Sequence, residues 1–406
     1  VISAVYNQSS MRRRPIALLT VAGLVLGQVL GSASAAPQTP AAPDTAKAVE
    51  SARALKAAGK PAEAVTALAA ALKQNPTSSD AATLQVETLV ELDRFNEALK
   101  TYDAYVAALK KPESAVLSRF GRADLQRTVR TRGDQRILTA QALERLGRQG
   151  DAGALKALRE QAGLTSIVSP ESLAPVVALA RLQDPAGEAR LGEMLNSGEP
   201  NARAQVLQAI GQGYVRSQAA RVVPYLNDAD VNTRSQAAIA LGLLQAKQAI
   251  PQLRNSFQTD QAGSVKMFAA IALKQVGDST ADSFLEGLLT KGHPEVQVFA
   301  AGAWQFSTVK TPAFDKAVRT LMAGPNDLHR LRAAELLAST DPAAARTLLG
   351  SALASENPLV RGGAARVFEN RPELADPATA RRLVGDATVT VRMHGAAIAY
   401  ALATRK

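Results

Sequence analysis

Arginine is the residue type with which this chain is best equipped to do chemistry. Between positions 119 and 148 there are eight, at 119, 122, 127, 130, 132, 136, 145 and 148, set against Asp124, Asp134 and Glu144. A guanidinium presents its donors in a rigid fork that fits carboxylate or phosphate, so this cluster is a candidate site for an anion or an acidic partner. On a helix, Arg119, Arg122 and Arg130 fall along one face. The apolar set Val116, Phe120 and Ala123 does not use that face, which makes these three arginines the candidate binding residues. A second set of cations is periodic: Arg203, Arg234, Lys266, Arg330, Arg361 and Arg392. Long cations at one repeating pitch form a ladder along stacked units, and the expectation is that they pair with acids or carbonyls of the next unit as solvated packing devices.

The other reactive types argue against catalysis. The three histidines, His293, His329 and His394, stand twelve, nine and six positions before Gln305, Ala338 and Tyr400, which are equivalent points of the repeat described below. Equivalent helix faces therefore do not bring them to one metal ion, and they are expected as scattered surface or helix-end residues. There is no cysteine, which excludes disulfides, thiolate metal sites, a cysteine nucleophile and lipoprotein acylation. No glycine-rich phosphate loop, nucleophile elbow or zinc signature occurs. Gly211-Gln212-Gly213 lacks a third glycine and follows a helical run, so it does not support dinucleotide binding. The expectation is a non-enzyme without metal or cofactor.

What positions these residues is a helical pattern that returns nine times from about Arg132 to the C-terminus. Its reference points are Gly147, Ala180, Gly211, Gly242, Lys274, Gln305, Ala338, Glu369 and Tyr400, at a near-constant interval. One residue earlier stands a large apolar side chain in eight copies, Leu146, Leu179, Ile210, Leu241, Leu273, Trp304, Leu337 and Phe368. Five earlier the residue is small in seven, Ala142, Ala237, Ala269, Ala300, Ala333, Ala364 and Gly395; nine earlier Leu138, Val265, Val296, Val360 and Val391 are apolar. These offsets share one helix face. Large beside small is what closely stacked helices need, and an interval this regular, long enough for two helices, means that each unit is covered by its neighbours. The expected fold is all-α, an α-α superhelical solenoid. In the second copy Pro175 stands where the small residue belongs, predicting a local distortion near 165–180. A lone last helix, Val389 to Arg405, is expected as a cap.

A slightly longer period precedes the array. Gly59–Pro76 recurs more weakly as Asp93–Lys110, with Ala98 the counterpart of Ala64. Gly59, Ala64, Leu68, Ala71 and Pro76, then Phe95, Ala98 and Tyr102, resemble the tetratricopeptide repeat. Tyr105 and Lys110 depart from it. The later copies, with the Val360-Arg361 to Ala364-Ala365 start and the Leu146-Gly147 and Leu241-Gly242 helix ends, resemble the HEAT repeat in its short, phycobilisome-lyase-like form. That resemblance implies a scaffold fold and leaves function open, because such repeats also occur in lyases, hydroxylases and DNA glycosylases. The irons of the hydroxylases rest on His-Glu pairs, and this chain has no His-Glu dipeptide.

The N-terminal region reads as targeting. Arg12, Arg13 and Arg14, an apolar segment from Pro15 to about Gly31, and Ala33-Ser34-Ala35 have the order of a secretory signal peptide, with cleavage expected before Ala36. Residues 1–10 lack this logic and are expected not to be translated. The expected organisation is a signal peptide at 11–35, an Ala/Pro linker at 36–45, tetratricopeptide-like repeats at 46–113, a connecting helix at 114–131 and a HEAT-like array at 132–406. The chain carries a formal charge of +11, three units of it from Arg12 to Arg14. The function expected is an exported, non-enzymatic scaffold, periplasmic or secreted, that binds a protein partner of acidic character. The alternatives are a nucleic-acid binder, which export disfavours, and a HEAT-type lyase or hydroxylase.

Overall fold

The computed structural model describes residues 43–111, 113–133, 135–163, 168–196, 199–306, 311–338 and 340–402. The expected signal peptide, residues 1–10 and most of the linker lie outside them. Among the described residues there are 22 α-helices and no strand. Two pairs come first, α1 (Pro43–Ala57) with α2 (Pro61–Gln74) and α3 (Ser79–Glu91) with α4 (Phe95–Leu109), followed by α5 (Ala115–Thr131). Pairs of a first and a second helix then repeat: α6 (Arg136–Arg148) and α7 (Ala152–Ala162), α8 (Pro170–Arg181) and α9 (Pro185–Leu195), α10 (Pro200–Gln212) and the short α11 (Ala219–Val222). The middle of the array holds α12 (Val231–Leu243) and α13 (Ile250–Thr259), α14 (Gly263–Gln275) and α15 (Asp282–Lys291), α16 (Pro294–Ala301) and α17 (Pro312–Ala323). The last elements are α18 (Asp327–Leu337) and α19 (Pro342–Ala352), α20 (Pro358–Asn370) and α21 (Pro377–Val384), and finally α22 (Val389–Leu402).

Local chemistry starts these helices where the pattern requires. The side chains of Asp151, Asp184, Asp230, Asn326, Asp341, Asn357 and Asp376 accept hydrogen bonds from first-turn amides. Proline occupies the first turn of α8, α9, α10, α16, α17, α19, α20 and α21, where its missing N–H has no helical partner to lose. The apolar register described above forms the core: Leu146, Leu179, Ile210, Leu241, Leu273, Trp304 and Phe368 are buried, as are Ala237, Ala269, Ala300, Ala333 and Ala364. Leu337 is only partly buried. Pro175 does not break its helix: α8 runs on through it from Pro170 to Arg181, while the part of the expected distortion at 165–167 lies outside the described residues. The lost amide lies in the second turn, and the reciprocal bonds between Ser169 and Ser172 hold the first.

Most successive first helices pack directly on each other, least so α16 on α18, whereas most second helices scarcely touch, α15 and α17 excepted. The first-helix layer therefore lies on the inside of the curve. That curve closes. The last helix, α22, is not a lone cap: its most extensive packing is with α5, which also packs on α6 and on α3. Thus α5 serves as the third first-helix of the N-terminal stack and as the link that joins the last repeat to the first. Gly121 permits the approach, since a Cβ there would collide with the Ala396 carbonyl oxygen. Ser118 Oγ donates to Tyr400 O at 2.9 Å across the seam. The N-terminal stack is fastened as well, by Arg381 of α21 to Asp103 of α4 at 2.6 and 2.9 Å. Repeats too few to stand alone gain a covered end in this way.

Candidate functional site

The arginines singled out at the junction separate into different environments. Arg119 projects from α5 into a groove formed with α1 and α3, a cavity of about 430 Å³ also lined by Arg53, Asp80, Thr83 and Glu87. Its side chain is 52% exposed and comes within 3.8 Å of Glu87. Burial pushes the Glu87 carboxyl up, against the opposing pull of Arg119 and Lys56. Arg122 instead faces the seam, with its guanidinium 5.8 Å from the Tyr400 ring centroid and 3.8 Å from Asp151. Arg130 is exposed near the end of α5. The expectation of three free cations on one face is therefore corrected: the closing helix α22 uses part of that face, and of the three only Arg119 lines the groove.

The ladder cations are tied into the array by a recurring geometry. Arg203 grips Asp228 through Nε and Nη2 at 2.9 and 3.0 Å, and Arg234 grips Asp260 at 2.7 and 3.1 Å. Arg361 holds Asp386 at 2.8 and 3.2 Å and also donates to Thr388. Each aspartate then accepts from the amide two residues on, Asp230, Ala262 or Thr388, just ahead of the next first helix. A carboxylate holding a fork and an amide at once is kept ionised: hydrogen bonds from the arginines hold Asp228, Asp260 and Asp386 below the usual carboxylate range despite the opposing cost of burial. Arg330 pairs with Asp327 of its own helix and with Gly324 O, and Lys266 donates to Gln258 O. Arg392 departs from this pattern. Its guanidinium lies 4.5 Å from the Phe95 ring centroid and 3.4 Å from the buried Asp124 of α5.

A dense polar cluster lies on the seam between α6, α20 and α22, where Arg145, Arg148 and Glu144 of the arginine-rich stretch meet Glu369 and His394, a meeting outside the sequence expectations. Glu369 accepts from Arg145 at 2.9 and 3.2 Å and from Arg148 at 3.3 Å, and the Nδ1 of His394 lies 2.5 Å from it. Arg148 also bonds Glu144, which meets Arg181 Nε at 3.2 Å. Although burial opposes ionisation of both acids, Arg145 and His394 hold Glu369 far below its usual range, and Arg181 with Arg148 lowers Glu144. His394 is pushed down by burial first and by Arg145 second. This corrects the expectation of a scattered surface histidine, since the His394 side chain is 17% exposed. A signal for it existed: Glu369 occupies a reference position that holds glycine or alanine in five of nine copies.

Comparison with known families finds HEAT repeats over residues 219–303 and a tetratricopeptide repeat over residues 55–118. The chain thus carries HEAT repeats with tetratricopeptide-like repeats N-terminal to them, arms of an all-α solenoid of a kind that typically serves protein interaction. Among solved structures, human deoxyhypusine hydroxylase in complex with glycerol is 18% identical, with a TM-score of 0.30, covering 62% of this chain and 96% of that one. An engineered protein is likewise 18% identical, with a TM-score of 0.31, covering 79% and 95% respectively. Likeness at these TM-scores carries no argument about activity. No curated protein matches the chain. Among the described residues no helix is long and apolar enough to cross a membrane.

Proposed function

We propose that this protein is an exported, non-enzymatic scaffold, periplasmic or secreted, that holds an extended segment of a partner protein in the groove between α1, α3 and α5. The observation that carries this reading is the half-exposed Arg119, standing with Arg53 over a polar groove of about 430 Å³ whose floor is three successive first helices. Stacked helical repeats offer such surfaces to extended chains. Acidic side chains of the partner meet Arg53 and Arg119, while Asp80 and Glu87 accept from its backbone amides. Closure through α5 and α22 keeps the platform from flexing as the segment binds, which reduces the ordering cost of association. Support for export is the targeting pattern at 11–35, outside the described residues.

The test is capture from a periplasmic extract with the chain from Ala36 onward, compared with Arg53→Glu plus Arg119→Glu. Reversing both charges should weaken capture and lower its salt dependence at an unchanged melting temperature. Equal capture by the variant sinks the groove. N-terminal sequencing of protein from the producing cell should begin at or near Ala36, and a chain that keeps residues 11–35 in the cytoplasm overturns the localisation.

A further inference from the structure

The tight spacing of the first-helix layer fails between α16 and α18. Helix α16 has only 8 residues before the chain turns into the tighter coil Gly302–Phe306, and a cavity of about 480 Å³ opens beside it. This size falls within the ordinary range of small-molecule sites, roughly 300–1,000 Å³. One wall is apolar, formed by Val298, Phe299 and Leu331, with Leu328 at the rim, 50% exposed. The other wall is cationic in an unusual way. Arg332 and Arg366 divide a single carboxylate, Arg332 Nη1 reaching Glu335 Oε2 at 2.7 Å and Arg366 Nη2 reaching Oε1 at 2.9 Å.

Arg332 is only 8% exposed, and its Nε has no hydrogen-bond partner among the described residues. Gly302 leaves room for it, since a Cβ there would lie 2.7 Å from Arg332 Nη2. A buried guanidinium with an unused donor is costly unless something accepts from it. Two guanidiniums against one glutamate leave one positive charge in excess on this wall, which the exposed Glu295 elsewhere in the lining offsets only across screening solvent. Glu295 and His329 stand at the margin, and Glu295 disfavours a second negative charge on whatever enters.

We propose that this cavity binds a monocarboxylate with an apolar body, the carboxylate taken by Arg332 and Arg366 and the body lying on Val298, Phe299 and Leu331. The site is independent of the groove at α1, α3 and α5. Two sources share this chemistry, a free medium-chain acid and the C-terminal carboxylate of a peptide ending in an apolar residue.

Calorimetric titration of the full chain with octanoate, octylamine, octanedioate and an N-acetylated pentapeptide ending in leucine, as acid and as amide, tests it. Saturable binding of octanoate or of the peptide acid is expected, with octylamine and the peptide amide at least about tenfold weaker, the loss that follows from one charged hydrogen bond, and octanedioate weaker because its second carboxylate meets the apolar wall and Glu295. Octanoate without the peptide identifies free acids as the ligand, and the peptide acid identifies chain ends. Arg366→Gln and the surface variant Leu328→Glu should each weaken binding about tenfold, and Leu328→Met should keep it. Saturation by neither octanoate nor peptide acid, equal binding of octylamine, or unchanged binding by the folded Leu328→Glu protein overturns the proposal.

Discussion

Two regions of this molecule are built from the same arginines and carboxylates and differ in what they accomplish. In the ladder, Arg203, Arg234 and Arg361 each reach an aspartate 25 or 26 residues on, at the start of the next first helix. In the seam, Arg145 reaches Glu369 across 224 residues and His394 across 249. The ladder sets the relation of neighbours and recurs. The seam occurs once and joins the ends. A rung that fails leaves its neighbours stacked on an apolar core, whereas the seam concentrates buried charge whose partners come from three separate helices.

The comparison is broken most directly at Glu369. Glu369→Ala leaves Arg145 and Arg148 without their shared acceptor, and is expected to cost about 3–5 kcal/mol in denaturant unfolding. A loss within the scatter of surface substitutions would show that closure contributes no stability. Next in size is the apolar core of the array: Leu241→Ala should cost about 2–5 kcal/mol and Ala237→Leu about 1–3. Unchanged midpoints for both would contradict the stacking register.

Acidity acts on the seam in two opposite senses. Asp124, buried beneath Arg392, has its carboxyl pushed up to about 6 from an ordinary 3.8 by desolvation, with Arg392 opposing. The folded chain then binds this proton more readily than the unfolded chain, so the stability it brings is full below the ordinary value and is lost as pH rises through about 6. A shift of that size corresponds to about 2–3 kcal/mol over the window, and Asp124→Asn should abolish this slope in melting measured from pH 4 to 7.5. His394 works in the opposite sense. Its proton affinity is lowered by burial and by Arg145, so its contribution is present above the usual histidine range and fades as pH falls below it. His394→Gln should flatten that acid limb. The smallest effect is expected in the ladder, where Arg234→Ala should cost about 0.5–1 kcal/mol and less at high salt. A rung as costly as Glu369 would erase the distinction between the regions.

Much of this architecture was legible in advance because stacking is periodic. Leu241 next to a reference glycine and Ala237 one turn earlier announce a buried face, and the regular return of that pair announces neighbours that bury it. The resemblance of Gly59–Pro76 to a tetratricopeptide unit likewise reports contacts within and between adjacent helices. The candidate site was less legible. Arg119 and Arg122 stand one turn apart on one helix and are alike in sequence, yet one opens on a groove and the other lies near Tyr400, in the last helix of the chain.

By itself, then, the sequence determined the all-α class, the repeat length, the buried register and the aspartates, asparagines and prolines that start many of the helices, since all of these are settled within a helix or between one unit and the next. Tertiary structure alone decided that α22 meets α5, that Glu369 and His394 face Arg145, and that Arg332 is held against Gly302 beside an open cavity. Closure depends on small rotations accumulated over the whole array, and no local pattern of residues records their sum.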